Sequence, residues 1–244
     1  MKIIATIEAR MTSSRLPGKV LLPAANKPLL QHLTERLKLV NSIDDVVLAT
    51  TSNETDDVLV EFANQLGIKF YRGSEDDVMG RVIGAAESLK ADIIVEITGD
   101  CPIIDHQIVE QTIQMFLAHN VDYVSNCHLR GYPIGMDTQV FLLDTLKRSA
   151  GMTSDILDHE HVTLHIRNNP EFFSKVHLVP PPELNWPDLG LTLDEPSDYL
   201  LIKKIVEYFY SSNPMFSCLD IINLLKENPD WILLNREVQR KGDS

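Results

Sequence analysis

Through its first half the chain alternates short β-branched runs with amphipathic stretches, a rhythm that few folds accept. KIIATIE (2–8) reads as a strand, PLLQHLTERLKLV (28–40) as a helix, DVVLATT (45–51) as a strand, and TDDVLVEFANQLG (55–67) as a helix with Thr55 as its cap. The pattern repeats in IKFYRG (68–73), DVMGRVIGAAESL (77–89), DIIVEIT (92–98), DHQIVEQTIQMFLAH (105–119) and DYVSN (122–126). A strand buried on both faces is apolar throughout, so runs such as DIIVEIT, each followed by a helix, predict an α/β fold with a mostly parallel sheet and helices on both faces. At 244 residues and 44% hydrophobic content the chain can bury one large core, and a single domain is expected.

After Asn126 the rhythm breaks. GYPIGMDTQVF (131–141) carries turn residues and then alternates, which predicts a hairpin or projecting strand pair, and DILDHEHVTLHIRNN (155–169) reads as a helix. KVHLVPPPELNWPDLG (175–190) is an extended, Pro-punctuated segment, and helical patterns return in PSDYLLIKKIVEYFY and CLDIINLLKEN.

Charge is unevenly placed along this frame. The formal net charge is −13, yet residues 1–40 hold seven Lys and Arg against two acids, and Arg10, Arg15 and Lys19 fall within ten residues of the first loop, EARMTSSRLPGKVLLPAANKPLL. An acidic whole argues against duplex nucleic acid or an anionic membrane as partner, since both need broad basic faces. A small polyanion suits a local cluster. Ligands of open parallel sheets sit at the carboxyl ends of strands, where two guanidinium forks, one ammonium, Gly18 for close backbone approach and Pro17 for stiffness read as a triphosphate cradle. It is not a Walker A loop, which would need glycine at Ser13 and a hydroxyl residue at Val20, and no G-x-G-x-x-G turn occurs. Cys101, Cys127 and Cys218 are far apart and odd in number, which indicates neither a disulfide framework nor a thiolate zinc site. The apolar start is stopped by Glu8, and no run approaches the ~20 apolar residues of a membrane span. A cytoplasmic protein is expected.

The stretch ARMTSSRLPGKVL resembles the signature loop of the nucleotidyltransferases that make CMP-activated sugars, the group of acylneuraminate and 3-deoxy-octulosonate cytidylyltransferases. ATTSNETDD, YRGSEDDV, ITGDCPIID, DYVSN, EHVT and LTLDEPSDY resemble, in order, its spore-coat polysaccharide (SpsF-type) branch, across residues 3 to about 200. The resemblance implies a Rossmann-like nucleotidyltransferase sheet that transfers CMP from CTP to a hydroxyl of a sugar acid or related small acceptor, with Mg2+, in surface polysaccharide biosynthesis. It implies that Arg10, Arg15 and Lys19 hold the phosphates, with Lys19, Arg15 and Asp100 catalytic. Ala9 and Thr51, Ser52 and Asn53 would line the base, and Arg72, Glu75 and Asp77 would shape the nucleotide pocket. Tyr132, Asp137, Gln139 and His161 would face the acceptor. It further implies a homodimer built on a projecting arm. Residues 1–244 would form one nucleotidyltransferase domain: a nucleotide-binding core (1–126), an acceptor-binding and dimer segment (127–190), and a metal aspartate with C-terminal helices (191–244).

Asp100 ends an apolar strand and Asp194 follows the strand-like LGLTL. Strand-end carboxylates facing a phosphate cradle suit magnesium, a hard cation that takes few protein oxygens and fills its octahedron with phosphate and water; in the family, carboxylates at these positions carry metal. The commoner role of a lone Asp is to start a turn or cap a helix, as expected for Asp105. His161 and His165 would share a helix face, but the H-E-x-x-H zinc pattern is absent. The octulosonate enzymes' Q-G-D-E-P is here Thr98-Gly99-Asp100-Cys101-Pro102, and the acylneuraminate enzymes' Pro-Thr-Ser segment is missing, which leaves the acceptor open. The competing reading is a nucleotide-sugar-dependent glycosyltransferase, which binds a diphosphate and usually offers a D-x-D pair; a three-cation loop with GDCP favours transfer of the nucleotide.

Overall fold

The computed structural model describes residues 1–240; the last four residues of the expected 191–244 segment lie outside the described residues. In chain order the elements are β1 (Ile3–Glu8), β2 (Pro23–Ala24), β3 (Lys27–Pro28), α1 (Leu29–Leu37), β4 (Asp45–Thr51), α2 (Asp57–Leu66), β5 (Lys69–Gly73), α3 (Val78–Ser88), β6 (Ile93–Thr98) and α4 (His106–Ala118). There follow β7 (Tyr123–Ser125), β8 (Gln139–Leu142), α5 (Leu143–Ala150), α6 (Ile156–Glu160), α7 (Leu164–Asn168), β9 (Lys175–His177), α8 (Pro196–Phe209) and α9 (Cys218–Glu227).

Seven strands form one sheet in the order β5-β4-β1-β6-β8-β7-β9, parallel except for β8, which runs antiparallel to both neighbours. The apolar runs take the centre, because a strand covered on both faces must be apolar on both. Ala5 and Ile7 of β1 pack with Leu33 of α1, Leu59 of α2 and Val109 of α4, while Ile4 packs on the opposite side with Met79 and Val82 of α3. Each of these isoleucines is fully buried, which stabilises the fold by about 1.5–3 kcal/mol apiece relative to exposure. A further cluster joins α8 and α9 to Ile103, Met136, Leu191 and Leu193.

Three expectations change. Thr55 does not cap α2: a 3-10 turn spans Glu54–Asp56, and α2 begins at Asp57. Asp56 is drawn inward instead, accepting from the Thr50 and Thr51 hydroxyls and from the Met11 N–H. GYPIGMDTQVF does not form a hairpin of its own, because its alternating part becomes β8 inside the main sheet, where pairing on both edges satisfies its backbone. DILDHEHVTLHIRNN breaks into α6 and α7 around Val162, whose φ of 48° no helix accommodates.

Candidate active site

The site forms where β1 and β6, adjacent and in register through Glu8 and Thr98, end together. The Gly99 N–H donates to the Glu8 carbonyl at 2.9 Å, and a Cβ at Gly99 would lie 2.8 Å from that oxygen, so only glycine lets the β6 exit cross so close and deliver Asp100. The first loop is tied at both ends. Met11 N–H donates to Asp56 at 2.7 Å, and Gly18, at φ 70°, donates to the Met11 carbonyl at 2.9 Å. Lys19 then opens a 3-10 turn with its side chain turned back over the strand ends.

The loop cations meet carboxylates from distant parts of the chain. Lys19 Nζ lies 3.2 Å from Asp100 Oδ2 and 3.4 Å from Asp194 Oδ1, Arg15 reaches the same Asp194 oxygen at 2.7 Å, and Arg10 pairs with Glu75 at 2.8 Å. Burial alone pushes the Asp100 carboxyl up, but the Lys19 ammonium and Thr98 hydroxyl outweigh it and hold Asp100 below the ordinary carboxylate range. The Thr12 hydroxyl, with Asn53 and Arg10, holds Glu75 low against partial desolvation. Asp105 is a helix cap, as expected: it accepts from Gln107 N–H at 2.8 Å and also from Cys218 N–H at 2.7 Å. Asp194 is released from capping because Glu195 and Asp198 form the capping box of α8.

Two cavities open here. The larger, about 600 Å³, is bordered by Ala9, Arg10, Arg15, Lys19, Glu75 and Asp100; the smaller, about 310 Å³, by Asp137, Gln139, Arg167 and Arg240. Glu8, Arg15, Asp100, His161 and Asp194 border both. Of the expected residues, Ala9, Arg10, Arg15, Lys19, Glu75, Asp100 and Asp194 thus converge on one cleft, and Asp137, Gln139 and His161 on the adjoining one. Thr51, Ser52, Asn53, Arg72 and Asp77 border neither. The Thr51 side chain is turned to buried Asp56, Asn53 holds Glu75 at 2.5 Å, and Arg72 clamps the Thr51 and Asn53 carbonyls and Asp57. Asp77 caps α3 and pairs with His159 at 2.7 Å. Tyr132 borders neither cavity: it is 1% exposed, packed in the C-terminal core with Leu189 and Leu191. His165 is apart from His161, its ring against the Ser149 hydroxyl at 3.1 Å.

Glu8, Glu96, Thr98 and Arg240, none of them expected from the sequence, also border the smaller cavity. For the first two a signal existed, an acid near the end of each of two otherwise apolar strands, IIATIE and IIVEIT. Arg240 gave none, since it arrives from the far end of the chain to meet Asp198 at 2.7 Å.

The donor set fits a magnesium ion. Two carboxylates from separate strand ends already converge on one cation, the Lys19 ammonium, and magnesium needs only one or two such oxygens beside phosphate and water. Among the described residues no group of three or more His, Cys, Asp or Glu converges into a cage made wholly of protein.

A family model described as cytidylyltransferase matches residues 4–220. An uncharacterized protein of Methanocaldococcus jannaschii is 35% identical over 242 residues, 99% of this chain and 98% of its own. The spore coat polysaccharide biosynthesis protein SpsF of Bacillus subtilis is 34% identical over 235 residues, 93% of this chain and 95% of its own. The solved structure of a cytidylyltransferase from Leptospira borgpetersenii serovar Hardjo-bovis shares the fold with a TM-score of 0.91 at 34% identity, covering 98% of this chain and all of that one. The matched span runs from β1 into α9 and takes in the cation loop, Asp100 and Asp194 alike. The chain therefore belongs to the cytidylyltransferase family and is a CTP-dependent nucleotidyltransferase.

Proposed function

We propose that the protein moves CMP from CTP to a hydroxyl of a sugar acid or related small acceptor, releasing pyrophosphate, as a step in surface polysaccharide biosynthesis. The observation that carries this reading is the Lys19 ammonium set between Asp100 and Asp194, with Arg15 on the same aspartate and Arg10 on the same cleft. Triphosphate entering the larger cavity would exchange these carboxylate contacts for phosphate oxygens. Lys19 and Arg15 would then face the negative charge that grows on the departing pyrophosphate, where a fixed cation in a partly buried cleft is most effective. Asp100 and Asp194 would hold magnesium, which when bound supplies positive charge to the phosphates.

The smaller cavity, with Asp137, Gln139 and His161, would take the acceptor. Gln139 is fixed for that role: its carbonyl accepts from the Tyr123 and Thr163 hydroxyls, and its amide donates to Glu96. The polysaccharide pathway is supported by the SpsF relative of Bacillus subtilis. On this reading residues 1–126 hold the nucleotide, 127–190 serve acceptor and dimer contacts, and 191–244 bring the second metal aspartate. A homodimer is supported by Leu129 and Val179, which are 52% and 58% exposed in the middle segment.

The experiment is pyrophosphate release with CTP, magnesium and a panel including N-acetylneuraminate and 3-deoxy-manno-octulosonate, with thermal protection by CTP measured separately. CTP at 100 times its Kd should raise stability by about 2.7 kcal/mol, more than ATP or GTP at equal concentration. Equal protection by all the triphosphates, or no acceptor-dependent release, would count against it.

A further inference from the structure

Residues 235–240 lie beyond the span matched by the cytidylyltransferase model, yet they close on the site. Asp198, in the first turn of α8, is where they join it. Its carboxylate is fully buried and divided between two parts of the chain. Oδ2 accepts from the Asp194 and Glu195 N–H groups at 3.1 and 2.9 Å, and Oδ1 accepts from the Asn235 amide at 2.8 Å and from the Arg240 guanidinium at 2.7 Å. One carboxylate therefore ties the backbone that carries Asp194 to the 235–240 segment. The guanidinium sits in a socket shaped for it: a Cβ at Gly190 would fall 1.9 Å from Arg240 Cζ, so a side chain there would evict the fork, and the Thr192 hydroxyl lies 3.4 Å from its Nε. Beside it, the Gln239 carbonyl accepts from Arg15 at 3.2 Å. The segment thus meets the cation loop directly as well as through Asp194, the carboxylate that Arg15 and Lys19 share. Removing one partner of a buried ion pair leaves a charge that its surroundings must move to relieve, and around Asp198 those surroundings include the Asp194 and Glu195 N–H groups.

We propose, resting on the cytidylyl-transfer reading above, that Arg240 is a positioning residue for the reaction: through Asp198 it fixes the backbone of Asp194, and with it the carboxylate on which Arg15 and Lys19 are set. Arg240 touches no reacting atom in this role. Cations meet the charge growing on pyrophosphate effectively only when they are in place before it forms, and a displacement of about 1 Å transmitted from a distance can lower turnover by about 10²-fold. Arg240 also borders the smaller cavity, where contact with the acceptor is the competing role. Positioning is favoured because its shortest hydrogen bond goes to an aspartate that is itself sealed from solvent and bonded to the Asp194 backbone.

The test uses the full chain with CTP, magnesium and the panel acceptor giving the fastest release, for wild type, Arg240→Ala, Gly190→Ala and the double variant, each assayed well below its own melting temperature. Arg240→Ala should lower kcat by about tenfold or more, a larger change than in CTP affinity measured by thermal protection, with acceptor KM within about threefold of wild type. Gly190→Ala keeps every charge but displaces the fork, and should lower kcat to a similar degree. In the Arg240→Ala background it should change kcat by no more than about twofold, since the two substitutions break one contact. Guanidinium chloride at about 20 mM, far below denaturing concentrations, should restore the Arg240→Ala rate by about threefold or more and leave the double variant, whose socket holds a methyl group, unchanged. A folded Arg240→Ala protein with kcat within about twofold of wild type overturns the proposal and leaves cytidylyl transfer intact. A raised acceptor KM at unchanged kcat also overturns it, and makes Arg240 an acceptor contact. Should Arg240→Ala fail to fold, a folded Gly190→Ala protein with wild-type kcat has the same force. A wild type that binds CTP but releases no pyrophosphate with any acceptor overturns the transfer reading, and the positioning role with it.

Discussion

Lys19 shows how one side chain can be read as catalytic rather than merely binding. Its ammonium faces two carboxylates at 3.2 and 3.4 Å and is only 13% exposed, so its position is set before substrate arrives. If that position serves the charge developing on pyrophosphate, Lys19→Ala should cut kcat by about 10²-fold, or 2.7 kcal/mol, with a smaller effect on CTP affinity. Lys19→Arg should not restore it, because a planar fork replaces a point charge beside the Gly18 turn. Steady-state pyrophosphate release, with affinity measured separately, decides; an unchanged kcat with weakened CTP binding would reduce the residue to a binding contact. Glu8 makes a prediction of opposite sign for stability. Its pKa is raised in the folded protein, so the folded state favours the protonated acid, and the stability associated with it is complete at low pH and lost as pH rises from the ordinary carboxyl range through the raised value. Glu8→Gln should therefore stabilise the ligand-free protein by at least about 1 kcal/mol at pH 8 and have little effect near pH 4. Thermal unfolding at the two pH values tests the sign.

Among the elements, α4 and α9 share a single residue. Asp105 caps α4 through Gln107 and closes the start of α9 through Cys218, and it is 4% exposed, so its loss leaves the buried Cys218 N–H and the part-buried Gln107 N–H unpaired. Asp105→Ala should cost about 2–4 kcal/mol, seen as a melting temperature lower by roughly 4–16 °C, while CTP protection at saturation remains. Loss of CTP binding in a folded Asp105→Ala protein would show that the residue belongs to the site instead. Arg36 joins the same region from α1: its buried guanidinium donates to the Phe216 carbonyl at 2.8 Å and stacks on that ring, and burial lowers its pKa to about 10. One of the seven cations that make the N-terminal region basic therefore serves packing and not phosphate.

At the scale of the whole molecule, the sheet is extended beyond β6 by β8, β7 and β9, and that extension carries one side of the smaller cavity. The exposed Leu129 and Val179 flank the same half, and pairing of two copies over them should give a particle of twice the 27.6 kDa chain mass. Light scattering across a micromolar dilution series should report that mass, and a constant value near one chain would refute the dimer. Among the described residues no helix is long and apolar enough to cross a membrane.

The core half of the fold was legible because its signals are local. Buried parallel strands must be apolar on both faces, so the period of IIATI, VVLAT and IIVEI declares them wherever they fall. The cation loop was legible for the same reason, three charges and a Pro-Gly turn within ten residues. What lay beyond the sequence depended on partners far along the chain. Asp194 meets Lys19 across 175 residues, and nothing near either one announces the other. Tyr132 has the composition of a ligand contact and the environment of a core residue, because Leu189 and Leu191 close over it. GYPIGMDTQVF alternates as a hairpin strand would, yet β6 and β7 both offered it open edges, and a central place in the sheet satisfies more backbone groups than a projecting pair. Periodicity and loop chemistry thus determined the sheet and the cationic loop at its end, whereas the pairing of charges and the burial of acids such as Glu8 were decided by the tertiary structure, since desolvation and Coulomb forces act between groups that only folding brings together.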